Sequence, residues 1–394
     1  MGDLYLTNAT IVLENRVLSK GFIHIIGERI ESVGEMEACP PISDLDKIYD
    51  CSDKQYVIPG MIDIHVHGAA GYDFMDGNTK AVEAIAFALT KEGVTSFLAT
   101  TITNPVDYTS NAIGNLNSYS VHNNKPGVAE LVGIHLEGPF INKEQKGAQP
   151  EESILPPNVV LFKEWQELSG NTIKIITYAP ELDINFELLT ELNKTEVIPS
   201  MGHTNATYDE SIHAIHNGVS HATHLFNGMK GFHHREPGVV GAVLLRDDVY
   251  VEIIPDGIHF HSDLVKLIVK MKGLEKVLVI TDGMRAKGLP DGNYDLGGQE
   301  VIVSDGSCLL VSTGSLAGSV VTMNNARLNL VEWLDLSIVE QVQVTSVNQA
   351  KRLEIFDRKG SIEAGKDADL VVLGSDGQIE LTICRGKISY QRES

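Results

Sequence analysis

The sequence predicts an α/β chain, a (β/α)8 TIM barrel joined to a small β-sandwich domain formed from both chain termini. Three observations carry that reading. Eight short, nearly continuous apolar runs recur between helix-like stretches, as parallel strands buried on both faces do. The two chain ends alternate instead with a period close to two, the pattern of half-buried strands. Histidines and acids close five of the apolar runs, where a barrel gathers its chemistry.

From the N-terminus, LYLTNATIVL, GFIHII and IESVG read as strands separated by turns at Glu14-Asn15-Arg16 and Gly27-Glu28-Arg29. Strand texture returns in GSIEAGKDADLVVLG and IELTICRGKISY. The expected division is residues 1–55 plus 360–394 for the small domain and 56–359 for the barrel. Barrel strands are expected around 61–67, 94–100, 130–136, 173–178, 196–202, 219–224, 249–254 and 277–282. Between the first two, TKAVEAIAFALTKEG places Ala81, Ile85, Ala88 and Leu89 on one apolar stripe, as a covering helix requires. Residues 284–323 break the alternation and read as a glycine-rich hairpin followed by a loop. Because this segment follows the last strand, it is expected over the mouth of the barrel as a lid or substrate contact.

The chain has 394 residues, room for a barrel of ~250 residues and a smaller domain. Its 43% hydrophobic content and 36 glycines are ordinary for a globular protein. A net charge of −22 argues against nucleic acid or an anionic membrane as partner, and requires local cations to hold any anionic substrate. Cys39, Cys51, Cys308 and Cys384 show no C-x-x-C spacing, so reduced thiols and a cytoplasmic location are expected. Asp3 and the lack of a basic stretch before an apolar core speak against a secretory signal. No apolar run approaches the ~20 residues of a membrane-spanning helix.

The chemistry lies at the strand ends. His65 and His67 close MIDIHVHG, Glu137 closes LVGIHLEGPF, His203 closes VIPSMGH, His224 closes SHATHLFNG and Asp282 closes VLVITDG. Residues i and i+2 of a strand share a face, so Asp63, His65 and His67 are expected to point together into the barrel. Imidazoles and carboxylates converging there suit a divalent metal. A carboxylate following VLVIT is costly to bury unless a metal or cation compensates it. Beside a metal-held water, Asp282 could take up a proton and later deliver it.

The other histidines sort by position. His135 shares the face of Glu137 and fits either a place behind the metal or a place in the core. His221, three residues before His224, is expected to point the other way and to be structural. His24, His122, His213 and His216 read as incidental, His259 as a substrate contact at the mouth, and His261 as a weaker one. FNGMKGFHHREPG concentrates Lys230, His233, His234 and Arg235 in an acidic chain, and arginine suits bidentate recognition of phosphate or carboxylate. Asn227 and Gly228 can add amide and backbone donors. No glycine-loop fingerprint of nucleotide binding is present.

The motifs taken together carry a resemblance. PGMIDIHVHG, GIHLEGPF followed by KGAQP, MGHTNA, THLFNGM with REPG, DGIH, VITDGM and SLAGS occur in family order over roughly residues 57–320. They resemble those of the N-acetylglucosamine-6-phosphate deacetylases of the amidohydrolase superfamily, and GSIEAGKDADLVVL is common in that wider superfamily. The resemblance implies hydrolysis of the acetamide of N-acetyl-D-glucosamine 6-phosphate to D-glucosamine 6-phosphate and acetate, in amino-sugar catabolism or recycling. It implies a metal site of Glu137, His203 and His224, and a second of His65, His67 and Asp282 with Glu137 bridging. Zinc or iron, one or two ions per subunit, is the implied cofactor, with metal-bound hydroxide as nucleophile and Asp282 as general acid/base. Gln149, Asn227, Gly228, Arg235, His259, Leu316 and Ala317 are the implied substrate contacts. Some relatives carry, at the position of Gln149, a histidine that helps polarise the acetyl group, so here a metal ion is the expected electrophile. A homodimer is implied, with Arg235 serving its own or the neighbouring subunit's site. The galactosamine epimer is a rival substrate. Cyclic-amide hydrolases of the dihydroorotase or hydantoinase type bridge their metals with a modified lysine, and Glu137 in HLEGP argues against them.

Overall fold

The computed structural model describes residues 2–51 and 55–393. Eight parallel strands form the barrel: β1 (Met61–Val66), β2 (Val94–Thr101), β3 (Glu130–Glu137), β4 (Ile173–Tyr178), β5 (Ile198–Met201), β6 (His221–Ala222), β7 (Tyr250–Ile253) and β8 (Val277–Val279). Each pairs with its neighbours in chain order, and the ring closes where Val66 bridges Gly283. There the Asp282 amide donates to the His65 carbonyl at 2.8 Å, so the first and last strands deliver their chemistry side by side.

The covering helices follow their strands one by one: α1 (Thr79–Thr90), α2 (Val106–His122), α3 (Val159–Leu168), α4 (Glu187–Lys194), α5 (Tyr208–His216), α6 (Gly238–Leu244), α7 (Asp263–Lys272) and α8 (Met323–Leu334). Side chains of Asn78, Asn158, Thr207 and Thr322 cap the first turns of α1, α3, α5 and α8, satisfying amides the helix leaves unpaired. Of the expected stripe, Ile85 and Leu89 are buried in one core with Val66, Leu136, Ile176 and Val251 of the strands, Ala81 is fully buried, and Ala88 is partly buried against that core. Two strands keep no more than half of their expected runs. The sixth, expected over 219–224, pairs only at His221–Ala222, and the eighth, expected over 277–282, is regular only to Val279. In both cases the chain stays hydrogen-bonded to its neighbours past the regular ladder, Thr223 and Leu225 to Met201 and Glu252, and Ile280 and Asp282 to Ile253 and His65.

A second sheet takes strands from both chain ends. Across it run Lys387–Gln391, Ile379–Cys384, Leu370–Leu373, Tyr56–Pro59, Leu4–Val12, Val17–Ile26 and Arg29–Glu35, with Lys47–Asp50 also against Leu4–Val12. Alternation buries Leu6, Ile23, Ile25, Val57, Leu370 and Leu381 in a core of its own. This is the small β-sandwich that the alternating chain ends called for. The segment after β8 forms three antiparallel strands (Gly292–Leu296, Gln299–Ser304, Ser307–Leu310), one more than the expected hairpin. Leu296, Val301, Cys308 and Ala317 share a core with Ile102 and Ala148 of the barrel loops, so the excursion is packed down on the mouth.

A buried ion network ties the barrel to the terminal sheet. The Lys359 ammonium lies 2.7 Å from Glu130 at the start of β3 and 3.1 Å from Asp367, and also contacts Asp369, just before Leu370–Leu373. Arg358 adds a contact to Glu130 at 2.9 Å. Burial pushes the Glu130 carboxyl up, but the two cations outweigh it and hold it at about 2. The stabilisation from Glu130 is therefore present above its ordinary value of 4.5 and is lost as pH falls from there toward 2. Lys359→Met leaves three carboxylates without their shared cation, and should cost about 3–5 kcal/mol. Chemical denaturation would read this as a lower midpoint, and an unchanged midpoint would remove the network as a structural tie.

Candidate metal centre

Five strand ends supply the polar cluster. β1 presents His65, with His67 one residue past its end, and Glu137 is the last residue of β3. His203 and His224 lie just past β5 and β6, and Asp282 just past β8. Those last three adopt positive φ (49°, 31° and 49°), a left-handed backbone that non-glycine residues rarely take. Such residues cost ~1–3 kcal/mol each and persist where the surrounding fold over-determines them. The positive φ of His224 and Asp282 falls just past the regular ladders of β6 and β8, where both side chains join the cluster.

Glu137 is the centre. Its Oε1 lies 3.2 Å from His203 Nε2, 3.1 Å from His224 Nε2 and 3.4 Å from His65 Nε2. Its Oε2 lies 3.4 Å from His67 Nε2, and Asp282 Oδ1 is 3.1 Å from the same nitrogen and 3.5 Å from His65 Nε2. Two groups centred on Glu137, Glu137–His203–His224 and His65–His67–Glu137, bring their ligand atoms within 4.8 Å of one another, as do His65–His135–Glu252 behind them and Glu130–Asp367–Asp369 in the ion network.

The donor set fits a divalent cation. His203 Nδ1 donates to the Gln145 carbonyl at 2.9 Å and His224 Nδ1 to the Asn227 carbonyl at 3.0 Å. A ring nitrogen facing a carbonyl carries the hydrogen, which leaves Nε2 of each as the ligating atom. His65 Nε2 is buried with no hydrogen-bond partner, an orphaned ligand atom aimed at the cluster. Burial pushes the Glu137 and Asp282 carboxyls up, yet the imidazoles outweigh it and hold both below the usual range. Burial pushes His67 down, yet Asp282 and Glu137 raise it to about 10. The cluster therefore favours positive charge at its centre, which a divalent ion would provide.

A cavity of about 190 Å³ opens onto the cluster, lined by His67, Glu137, Gln149, His203, His224, Asn227, Gly228, His259, Asp282, Ser315, Leu316 and Gly318. Gln149 donates from Nε2 to Glu137 Oε2 at 2.7 Å and accepts from the Thr103 amide at 2.8 Å, so it orients the central carboxylate. The His259 ring is fixed by Asp256 at 2.6 Å. Leu296 of the excursion completes one wall.

Two of the sequence-implied contacts are not brought to this cavity. Ala317 lies under the surface, its amide donating to the Cys308 carbonyl at 3.0 Å, in the excursion's own core. Arg235 is exposed, with its guanidinium against the His234 ring at 2.8 Å, on a turn closed by the His233–Glu236 bridge. That turn projects outward and carries His233 and His234 with it.

The remaining histidines separate cleanly. His135 has both nitrogens engaged, with the Ile64 carbonyl at 3.0 Å and Thr177 Oγ1 at 2.7 Å. Burial pushes it down to about 3, so it is a neutral core residue beside His65. His24 pairs with Asp3 at 2.8 Å in the terminal sheet, and His122, His213, His216 and His261 are exposed. The expectation that His221 points away needs correction. With β6 only two residues long, counting parity from His224 fails, and the His221 ring turns inward to bond Glu252 at 3.1 Å. Glu252, fully buried on β7, was not singled out from the sequence at all, although a glutamate inside the apolar run YVEII carries the signal that marked Asp282.

Behind Asp282 lies further bracing. Asp63 accepts from Thr281 Oγ1 at 2.6 Å and from the His65 amide at 3.2 Å, and burial pushes its carboxyl up to about 6. The buried Lys287 ammonium bonds Thr281 Oγ1 at 3.2 Å and Glu92 at 2.8 Å. These contacts hold both residues flanking the Val66–Gly283 closure.

Comparison with known proteins agrees with this picture. Residues 56–389 match the amidohydrolase family. A relative from Bacillus subtilis (strain 168) named N-acetylglucosamine-6-phosphate deacetylase is 45% identical over 389 residues, covering 98% of this chain and 97% of that protein. An Escherichia coli O157:H7 protein named N-acetylgalactosamine-6-phosphate deacetylase is 33% identical over 337 residues, covering 86% and 88%. The solved structure of N-acetyl-D-glucosamine-6-phosphate deacetylase from Mycobacterium smegmatis, a mutant in complex with N-acetyl-D-glucosamine-6-phosphate, has a TM-score of 0.91 at 28% identity. It covers 99% of this chain and 100% of that one.

Proposed function

This chain belongs to the amidohydrolase family, and from that premise we infer that it is a metal-dependent hydrolase of N-acetyl-D-glucosamine 6-phosphate. Its products are D-glucosamine 6-phosphate and acetate. The observation that carries the reading is the Glu137 carboxylate, within 3.4 Å of ring nitrogens of four histidines at the mouth of a barrel.

Glu137, His203 and His224 would hold one divalent ion, and His65, His67 and Asp282 a second, with Glu137 shared. Imidazole and carboxylate donors suit zinc or iron. When bound, such an ion supplies Lewis acidity toward the acetyl carbonyl and lowers the pKa of water toward ~7. Asp282 takes the proton of the attacking water and returns it to the amide nitrogen as the C–N bond breaks. Acetate keeps the water oxygen, and the sugar leaves as the amine. Gln149 keeps the Glu137 carboxylate in place, His259, Asn227 and Gly228 grip the sugar phosphate, and Leu316 closes over the sugar.

Arg235 is assigned to the neighbouring subunit of a homodimer. Support comes from a groove on α6 and α7 lined only by apolar side chains, among them Phe226, Leu244, Leu264 and Met271. Phe232, Leu245 and Leu267 around it are 61%, 59% and 42% exposed, an apolar patch of the kind that marks an interface. Phe232 sits three residues from Arg235 on the same outward turn. Phe232→Glu with Leu267→Lys should yield monomers by sedimentation and a raised KM for the phosphorylated sugar with ion content unchanged. A dimer that survives both changes would sink this assignment.

The four cysteines are free thiols, which suits a cytoplasmic protein. Among the described residues no helix is long and apolar enough to cross a membrane. The division proposed is residues 1–55 plus 360–394 for the small domain and 56–359 for the catalytic one. Tyr56–Pro59 carries the chain from the first into the second.

Acetate release from N-acetyl-D-glucosamine 6-phosphate, its non-phosphorylated form and the galactosamine epimer tests the reading. Charge-assisted hydrogen bonds contribute ~1.5–3 kcal/mol each, so losing two or three phosphate contacts should lower kcat/KM by about 10³-fold. Equal turnover with and without phosphate would overturn the roles of Arg235 and His259. Faster turnover of the epimer would reassign the substrate.

A further inference from the structure

We infer that Glu252, held from behind by His221 and Arg352, is a positioning residue that builds the second ion position by fixing which nitrogen of His65 faces it. This rests on the two-ion reading above.

A directed chain of hydrogen bonds runs through the barrel interior to the metal cluster. Arg352 Nε lies 3.3 Å from His221 Nδ1, and a guanidinium can only donate, so Nδ1 of His221 accepts. His221 therefore carries its hydrogen on Nε2 and donates it to Glu252 Oε1 at 3.1 Å. Glu252 can only accept, so His65 Nδ1, 2.9 Å from Oε2, carries the hydrogen. That leaves His65 Nε2 with its lone pair toward Glu137 and Asp282, the same nitrogen that is buried without a partner. The far end is anchored as firmly, since Arg352 Nη2 donates to Ser220 Oγ at 2.6 Å and its guanidinium lies 5.0 Å over the Tyr250 ring.

The device is specific to one ion position. His203 and His224 orient against backbone carbonyls, of Gln145 and Asn227. All four imidazoles face Glu137 through Nε2, but His65 alone has its outer nitrogen, Nδ1, on a carboxylate, which both fixes its tautomer and strengthens it as a donor. The Nδ1 of His67 is buried without a hydrogen-bond partner among the described residues. Glu252 also accepts from the His224 amide at 3.3 Å, but its carboxylate is hydrogen-bonded to neither the His203 nor the His224 ring. It has no role in proton transfer to substrate.

Glu252→Gln is the discriminating change. The amide has one accepting and one donating end, whereas His221 and His65 both donate. Whichever way it turns, one donor faces another, and relief requires His65 or His221 to switch tautomer. Protein stripped with a chelator and titrated with cobalt(II), followed by visible absorption and by counting bound ions after dialysis, should take up two ions per native chain. The E252Q chain should bind its second ion about 10–100-fold more weakly, with the first unchanged within about twofold. Arg352→Met, which frees the tautomer of His221, should shift the second ion in the same direction by about tenfold or less.

Unchanged binding of both ions by E252Q overturns the inference. So does equal weakening of both ions, the mark of a merely structural role. If E252Q does not fold, as judged by its unfolding midpoint, R352M decides: a selective loss of the second ion supports the inference, and native affinity for it overturns it. A native chain that takes up only one ion overturns the two-ion reading itself. Acetate release by the native chain stands or falls separately, so the failures are distinguishable.

Discussion

Glu137→Gln should leave a folded chain that holds neither ion and releases almost no acetate. The carboxylate is the one group common to both ligand sets, with Oε1 facing His65, His203 and His224 and Oε2 facing His67. The amide keeps the shape and removes the charge that draws cations into a buried cluster of imidazoles. It also sets an amide against the Gln149 Nε2 donor, which lies 2.7 Å from Oε2 in the native chain. The Lewis acidity at stake amounts to several kcal/mol, and each 1.36 kcal/mol is tenfold, so activity should fall by more than about 10³-fold. Elemental analysis after dialysis and acetate release under added metal are the two readings. An E137Q protein with native ion content would remove Glu137 as the shared ligand.

Asp282→Asn should act differently. The side chain keeps its shape at the mouth but can no longer accept the proton of water or return it to the amine. Positioned proton transfer contributes ~10²–10⁴-fold, so kcat should drop by that amount while KM stays within about threefold. Because Asp282 also faces His67 at 3.1 Å, ion content must be counted in the same sample. Retained ions with lost turnover isolate the proton-transfer role. Near-native kcat would strip Asp282 of it.

Much of this site was legible in the chain because its ligands sit at ends of apolar runs, and that position alone predicts convergence at one face of a barrel. Face and parity arguments worked where strands are long, as for His65 on β1 and His67 directly after it. They failed at His221, because β6 lasts two residues and the backbone then turns through a positive φ at His224. Glu252 escaped for another reason: its meaning comes from His65, 187 positions away, and nothing local announces the pairing. Arg235 and Ala317 were assigned from the motifs around them, but a motif does not say which way its turn projects. The third strand of the excursion is only Ser307–Leu310, too short a run to separate from loop.

The terminal sheet has a consequence for how the molecule is made. Tyr56–Pro59 pairs with Leu370–Leu373, strands separated by some three hundred positions. At ~5–20 residues per second of synthesis, the early strand waits roughly 15–60 s for its partner to leave the ribosome. During that interval Val57 and Ile58, fully covered in the finished protein, face solvent on an open edge able to pair with any passing chain. The newborn enzyme is most exposed to aggregation before its last strands emerge, and proteins that shield nascent edges would matter most to it then.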